Sequence, residues 1–229
     1  EKTVGRIFRY FDLKDKFGAK VVTSSNIPIA RGLKSSSVAA NAIALATVAA
    51  LNKSLDDLTI VNLGVDGALN AKVTITGAFD DACASYFGGI VITDNVKRRI
   101  VKRFIISEDL TILFYIPAKK TYTSGSDVDK MKQVASLVKI AYKEALKGNY
   151  WSALTLNGLI YSSALGYDPS IALDALMAGA LAAGLSGKGP SVTAVVPNEK
   201  VDLVKNVWQA YEGDILQAHL NHEKAKLVG

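Results

Sequence analysis

Three stretches of this 229-residue chain carry residue types that could do chemistry. The first is Asn26 to Asn52, NIPIARGLKSSSVAANAIALATVAALN. Pro28 and Gly32 punctuate it just before Ser35, Ser36 and Ser37, and from Val38 onward nearly every residue is apolar or a good helix former. The serines therefore fall at a helix start. The first turn of a helix presents N–H groups without intrahelical partners, and the macrodipole adds about half a positive charge there. Phosphate binds such ends readily. Gly32 lets a ligand approach the backbone, Lys34 adds a cation, and the hydroxyls can donate to phosphate or ligate a hard metal ion. The pattern predicts an anion cradle; its plainer alternative is a serine cap on a core helix.

The second stretch is Ser186 to Ser191, SGKGPS. It fails as a P-loop, because Ala182 stands where the first glycine is required and Gly189 where Ser or Thr must follow the lysine. Gly184, Gly187 and Gly189 still allow it to wrap close to a ligand, the alternative being a tight helix-to-strand connection. The third is the pair Asp80 and Asp81. A carboxylate can orient a hydroxyl nucleophile and take its proton, or hold Mg²⁺ between phosphates. The alternative is that one Asp caps a short helix, Ala82 to Tyr86, while the other is solvated. His219 and His222 both lie near the C-terminus, so histidine base chemistry is not expected.

Positioning these groups requires a framework of alternating elements. Val4, Ile7, Phe8 and Phe11 have helical spacing, Ala19 to Thr23 reads as a strand entering the serine loop, and sequence upstream of Glu1 is expected to complete this region. The helix after the serines is apolar all round and must be buried. Ser54 followed by Asp57 marks a second helix running to Leu63. Gly89–Thr93 and Ile100–Ile105 pair as a hairpin, and Leu110 to Ile116 is a buried strand. Asp127 caps a helix stopped by Gly148; Tyr150–Leu165 and Pro169–Ala183 are further helices, the latter capped by Asp168. A strand follows the glycine loop, then a helix over Asn198–Tyr211 and a last strand over Ile215–Leu220. This is an α+β order without the regular period of a parallel barrel, and it is read as two lobes, residues 1–108 and 109–229.

With 49% hydrophobic residues the chain can bury a real core. No apolar run reads as a transmembrane span or a signal peptide, so a cytoplasmic protein without a membrane partner is expected. Cys83 is the single cysteine, which rules out an intrachain disulfide and suits a small buried apolar role. The net charge of +6 includes a cluster at Lys97, Arg98, Arg99, Lys102 and Arg103 that alternates as a half-exposed strand, so no nucleic-acid partner is expected.

In this order the three stretches resemble the GHMP kinase superfamily. Its phosphate-loop signature is matched by Pro28, Gly32, Leu33, Lys34, Ser35 and Ser36, and its C-terminal glycine loop by Ser186, Gly187, Gly189, Pro190 and Ser191. Within it, ARGLKSSSVAANA and TGAFDDACASYFGGIVITDN resemble the archaeal type of shikimate kinase. The resemblance implies a ribosomal-protein-like N-terminal lobe, here N-terminally truncated, a ferredoxin-like C-terminal lobe, and an active site in the cleft between them. It implies ATP-dependent phosphorylation of the shikimate 3-hydroxyl, in chorismate and aromatic amino acid biosynthesis, by a monomer or homodimer.

ATP phosphates would be bound by Gly32, Leu33, Lys34, Ser35, Ser36, Ser37, Gly187 and Gly189, with Mg²⁺ on Ser35 or Ser36. Alignment on the Asp side places the catalytic carboxylate at Asp80, and counting back from Gly88 and Gly89 places it at Asp81; Asp80 is preferred. The substrate carboxylate needs a cation, for which Lys119, Lys120, Lys130 and Arg98 are candidates. Homoserine kinase is the alternative within enzymes, and a ligand sensor or RNA-binding relative the alternative outside them.

Overall fold

The computed structural model describes residues 1–74, 76–118 and 128–228. The chain divides into two compact units, one formed by 1–27, 34–106 and 221–229 and the other by 28–33 and 107–220. The division is not a single cut: residues 28–33 pack with the second unit, and the last nine residues pack with the first.

The first unit holds α1 (Lys2–Tyr10), α2 (Ser35–Ala50), α3 (Asp57–Asn70), α4 (Phe79–Phe87) and the hairpin β1 (Ile90–Asp94) with β2 (Arg99–Phe104). Its core is built on Ile7, Ala44, Val61, Val65, Phe79 and Tyr86, all essentially out of solvent. Burial pushes the Cys83 thiol up to about 12, with the Asp80 charge adding to it, so this residue is an inert apolar filler. The cap of α3 is Asp56, not Ser54: its carboxylate accepts from the Thr59 amide at 2.9 Å and the Thr59 hydroxyl at 2.6 Å. The helix then runs through Gly64 and Gly67 to Asn70, past the expected stop at Leu63. Glycine costs about 1 kcal/mol inside a helix, and the reason for it is tertiary. A Cβ on Gly67 would stand 2.5 Å from the Thr3 hydroxyl of α1 and 2.7 Å from its Cα.

The strand expected at Ala19–Thr23 is absent, and residues 18–26 are irregular. Among the described residues it has no partner strand, and Val22 is 83% exposed. A strand exists only through its ladder. At the other end of the chain, residues 221–225 strap α4. Asn221 O accepts from the Gly89 amide at 2.7 Å, and the Ala225 amide donates to Tyr86 O at 2.6 Å. The Lys224 ammonium sits 2.8 Å from the Asp57 carboxylate, which also accepts from the Tyr86 hydroxyl at 3.0 Å. Those two donors hold the Asp57 carboxyl below its ordinary range, Lys224 contributing most.

The second unit is a four-stranded antiparallel sheet with helices. β3 (Leu110–Pro117) pairs with both β5 (Val192–Pro197) and β6 (Gly213–His219), and β4 (Ala182–Leu185) pairs with β5, giving the order β4-β5-β3-β6. The helices are α5 (Val128–Gln133), α6 (Ala135–Lys147), α7 (Tyr150–Leu165), α8 (Ser170–Met177) and α9 (Val201–Trp208). One helix was expected where α5 and α6 stand, and the break falls at Val134; the cap expected at Asp127 lies outside the described residues. The helix expected to reach Ala183 stops at Met177, and Ala182–Leu185 is a buried strand. Helix propensity loses here to the sheet partner: α7 crosses β4 so closely that a Cβ on Gly158 would lie 2.4 Å from Gly184 Cα. Trp208 closes the core, its indole N–H donating to Ile171 O at 2.8 Å and its ring edge-on to Tyr115. No helix among the described residues is long and apolar enough to cross a membrane.

Two expectations follow. Gly67→Ala forces α1 away from α3 and lowers the thermal midpoint, whereas Gly5→Ala, with nothing within 4 Å of the new Cβ, holds or raises it by up to about 1 kcal/mol of stability. The Asp57 carboxyl is depressed in the folded state, so its contribution is present above the ordinary value of 3.8 and is lost as pH falls through the lower folded value. Lys224→Met removes part of that contribution, so acid titration of the variant should show a smaller loss of stability below pH about 4; an unchanged acid limb would refute the pairing.

Candidate active site

The serine loop begins within the second unit. Gly32 lies at φ 80°, and a Cβ there would be 2.5 Å from Gly189 O, so only glycine allows the two backbones to meet. The Ser186 hydroxyl donates to Gly32 O at 2.9 Å, and the Ser191 hydroxyl and amide both donate to Arg31 O. Within SGKGPS, Ser186 N donates to Ser191 O at 2.8 Å and Gly189 N to Ser186 O at 3.0 Å. Gly187 and Gly189 have φ of 60° and 75°, and the Gly189–Pro190 bond is cis. Arg31 anchors the loop to the end of β3, its guanidinium donating to Pro117 O and Ala118 O. Ser191 is fully buried with its hydroxyl satisfied. The two glycine stretches, about 155 residues apart in sequence, are thus one hydrogen-bonded loop pair in which the carbonyls of Arg31 and Gly32 are already occupied.

Its continuation belongs to the first unit. Lys34 caps α2 in a left-handed conformation (φ 62°, ψ 23°) with no side-chain capping bond. Lys34 O accepts from Ser37 N at 3.0 Å and Val38 N at 3.3 Å, so the amides of Ser35 and Ser36 precede the first intrahelical bond. Ser37 is buried, Ser35 half-buried and Ser36 exposed. These amides stand at the positive end of a sixteen-residue helix, where the sequence places its expected anion cradle.

α4 starts in a similar way, on a left-handed Ala78 at φ 47°. Asp80 and Asp81 both lie in its first turn, and neither is the cap; the helix begins before them rather than at Ala82. The dipole there favours both carboxylates. Asp80 is exposed and accepts from the Asn95 amide at 2.9 Å, while Asn95 accepts from the Thr93 hydroxyl at 2.7 Å. Asp81 lies 3.5 Å from the Lys34 ammonium, the two side chains 24% and 30% exposed. Buried Asn41 ties α2 to α4, donating to Ala82 O at 2.8 Å and the Ser85 hydroxyl at 2.9 Å.

Arg98 pairs with Asp66 at 2.7 Å, and Asp66 also takes Arg6 at 3.0 Å. Lys130 is an exposed residue of α5, and Lys119 and Lys120 lie outside the described residues. Among the described residues no group of three His, Cys, Asp or Glu could hold a metal ion. The oxygen donors available, Ser35, Ser36 and the Asp pair, suit a hard ion that keeps its water and shares phosphate oxygens rather than one caged by protein. Asn41, Asn95 and the anchoring of Arg31 were not anticipated. Arg31 sits inside the signature, but no spacing links Asn95 to Asp80 or Asn41 to α4.

The helix-start amides and the carboxylate pair thus belong to the first unit, and the glycine loop pair to the second. The family described as GHMP kinases N terminal domain matches residues 2–89. A protein of Methanothermobacter thermautotrophicus named shikimate kinase is 45% identical over 216 residues, which are 92% of this chain and 74% of that protein. A shikimate kinase of Pyrococcus furiosus is 44% identical over 88% of this chain and 72% of its own length. Among solved structures, homoserine kinase of Cytophaga hutchinsonii superposes with a TM-score of 0.72 at 20% identity, covering 96% of this chain and 76% of that one. Methanococcus jannaschii mevalonate kinase superposes with a TM-score of 0.70 at 21% identity, covering 96% of this chain and 74% of that one. The structural likenesses establish the fold and the sequence likenesses the kinship: the chain belongs to the GHMP kinase family, in the group that includes these archaeal shikimate kinases.

Proposed function

We propose that the protein transfers the γ-phosphoryl group of ATP directly to the 3-hydroxyl of shikimate. The observation that carries this reading is identity above 40% to several archaeal shikimate kinases over most of the chain, with the serine loop and Asp pair intact.

Consecutive amides from Gly32 to Ser37 hold the polyphosphate, with Lys34 adding positive charge and Gly187 and Gly189 bringing a second backbone close. The pair Asp80 and Asp81 orients the acceptor hydroxyl and takes up its proton. Phosphoryl transfer passes through a loose transition state, so fixed amides and a positioned carboxylate are sufficient and no strong base is needed. The hydroxyl of Ser35 or Ser36 would hold Mg²⁺, which would supply charge neutralisation to the polyphosphate. The shikimate carboxylate is met by Lys119 or Lys130; Arg98 is the weaker candidate because Asp66 already holds it.

Offered shikimate, homoserine and mevalonate in parallel, the protein should consume ATP with shikimate alone; turnover with homoserine instead would overturn the substrate assignment. Replacing both carboxylates, Asp80→Asn with Asp81→Asn, should lower kcat by about 10³-fold or more while ATP binding, read by calorimetry, stays within about threefold. Gly32→Ala places a Cβ against Gly189 O and should raise KM for ATP by about tenfold or more. An ordinary KM in that variant would show that the loop pair does not shape the nucleotide site.

A further inference from the structure

We infer that Tyr167 is a positioning residue for the nucleotide: its ring, together with the Leu185 side chain, is the seat that holds Gly189 up against Gly32. This rests on the alcohol-kinase reading above. A Cβ on Gly189 would lie 2.9 Å from Tyr167 Cε2, 3.0 Å from its Cζ and 2.8 Å from Leu185 Cδ1. Ring and methyl therefore already fill the space beneath that backbone. On the other side, Gly189 O stands 2.5 Å from where a Cβ on Gly32 would be. Tyr167, Gly189 and Gly32 are thus close-packed in that order.

The seat is itself firmly held. Tyr167 follows Gly166, the left-handed cap of α7, and its amide donates to Ser162 O at 2.9 Å. Asp168, next in sequence, accepts from the Ser170 amide at 2.9 Å and fixes the turn into α8. Leu185 is the last residue of β4, 5% exposed and paired with Val192. α7 and β4 are locked together where Gly158 meets Gly184. Ring and methyl therefore come from two elements that are in backbone contact with each other.

The loop above has less to hold it. Gly187 and Gly189 lie at φ 60° and 75°, a region that glycine enters freely. The hydroxyls of Ser186 and Ser191 tie the two loops to each other, and what supports Gly189 from beneath is the ring and the methyl. A polyphosphate that takes the Gly32 amide inherits the height so set. Cutting the ring back to a methyl group opens a space under Gly189 into which the loop pair can sink, and a misplacement of about 1 Å at a binding loop is enough to be felt in the kinetics.

The test is ATP affinity by calorimetry, with KM for ATP and for shikimate and thermal midpoints alongside. It compares the unmodified protein with Tyr167→Phe, Tyr167→Leu, Tyr167→Ala, Gly189→Ala and the double variant Tyr167→Ala with Gly189→Ala. Tyr167→Ala should weaken ATP binding and raise KM for ATP by about tenfold, with KM for shikimate within about threefold. Tyr167→Phe should stay within about twofold of the unmodified protein. Tyr167→Leu keeps apolar bulk, folds if the alanine variant does not, and should fall between the two. Gly189→Ala should weaken ATP binding at least as much as Tyr167→Ala. The double variant should cost less than the two losses multiplied, because the new methyl takes part of the space that the ring leaves. A lowered midpoint with ATP affinity unchanged in Tyr167→Ala and Tyr167→Leu would make the ring a packing group only and overturn the inference. So would a loss in Tyr167→Phe equal to that in Tyr167→Ala, which would make the hydroxyl the acting group, or fully multiplied losses in the double variant. If the unmodified protein binds ATP but phosphorylates no alcohol, the kinase reading falls while the same ATP affinities still decide the seat; if it binds no ATP, both fall.

Discussion

Asn41 is the residue on which the geometry of the first unit turns. At 3% exposure its two N–H donors are given to Ala82 O and the Ser85 hydroxyl across the α2–α4 contact, while its buried Oδ1 has no partner among the described residues. That contact brings two helix starts together. One start offers the free amides of Ser35 and Ser36, and the other carries Asp80 and Asp81 in its first turn. Placing carboxylates beside an anion-binding helix end would be repulsive toward phosphate without compensation. The compensation comes from the two dipoles and from Lys34, so one small region holds both charge signs in fixed places.

How much of this the sequence discloses depends on whether a feature is made by backbone or by tertiary contact. The serine loop and SGKGPS were legible because backbone cradles need glycine for reach and serine at a helix start, and both leave compositional marks. Lys34 facing Asp81, Asn95 facing Asp80 and Arg31 facing the end of β3 leave none, since each joins segments whose separation in sequence carries no signal. The same division explains the element boundaries. The expected stop of α3 at Leu63 stands just before Gly64, yet Gly64 and Gly67 continue the helix and are present for α2 and α1 to pack against. The end of the expected helix, Ala180–Ala183, reads as helix because alanine favours it, yet small residues are what a strand needs where α7 lies directly on it.

The fold is shared with kinases for quite different alcohols. Proteins named homoserine, mevalonate and galactose kinases superpose on this chain with TM-scores of 0.72, 0.70 and 0.71 at only 16–21% identity. What such distant relatives share with this chain is the fold. The choice of acceptor is therefore not set by the architecture.

The strap over α4 gives the fold a temporal order. Residues 221–225 supply hydrogen bonds to Tyr86 and Gly89, and Lys224 supplies the partner of Asp57, yet these residues follow the second unit in the sequence. The whole of the second unit beyond Ser107 is made between the body of the first unit and its closing segment. On a ribosome adding about 5–20 residues per second, the first unit waits through the synthesis of the second before its final contacts exist. The helix that carries the carboxylate pair is thus secured only after the second unit has been made.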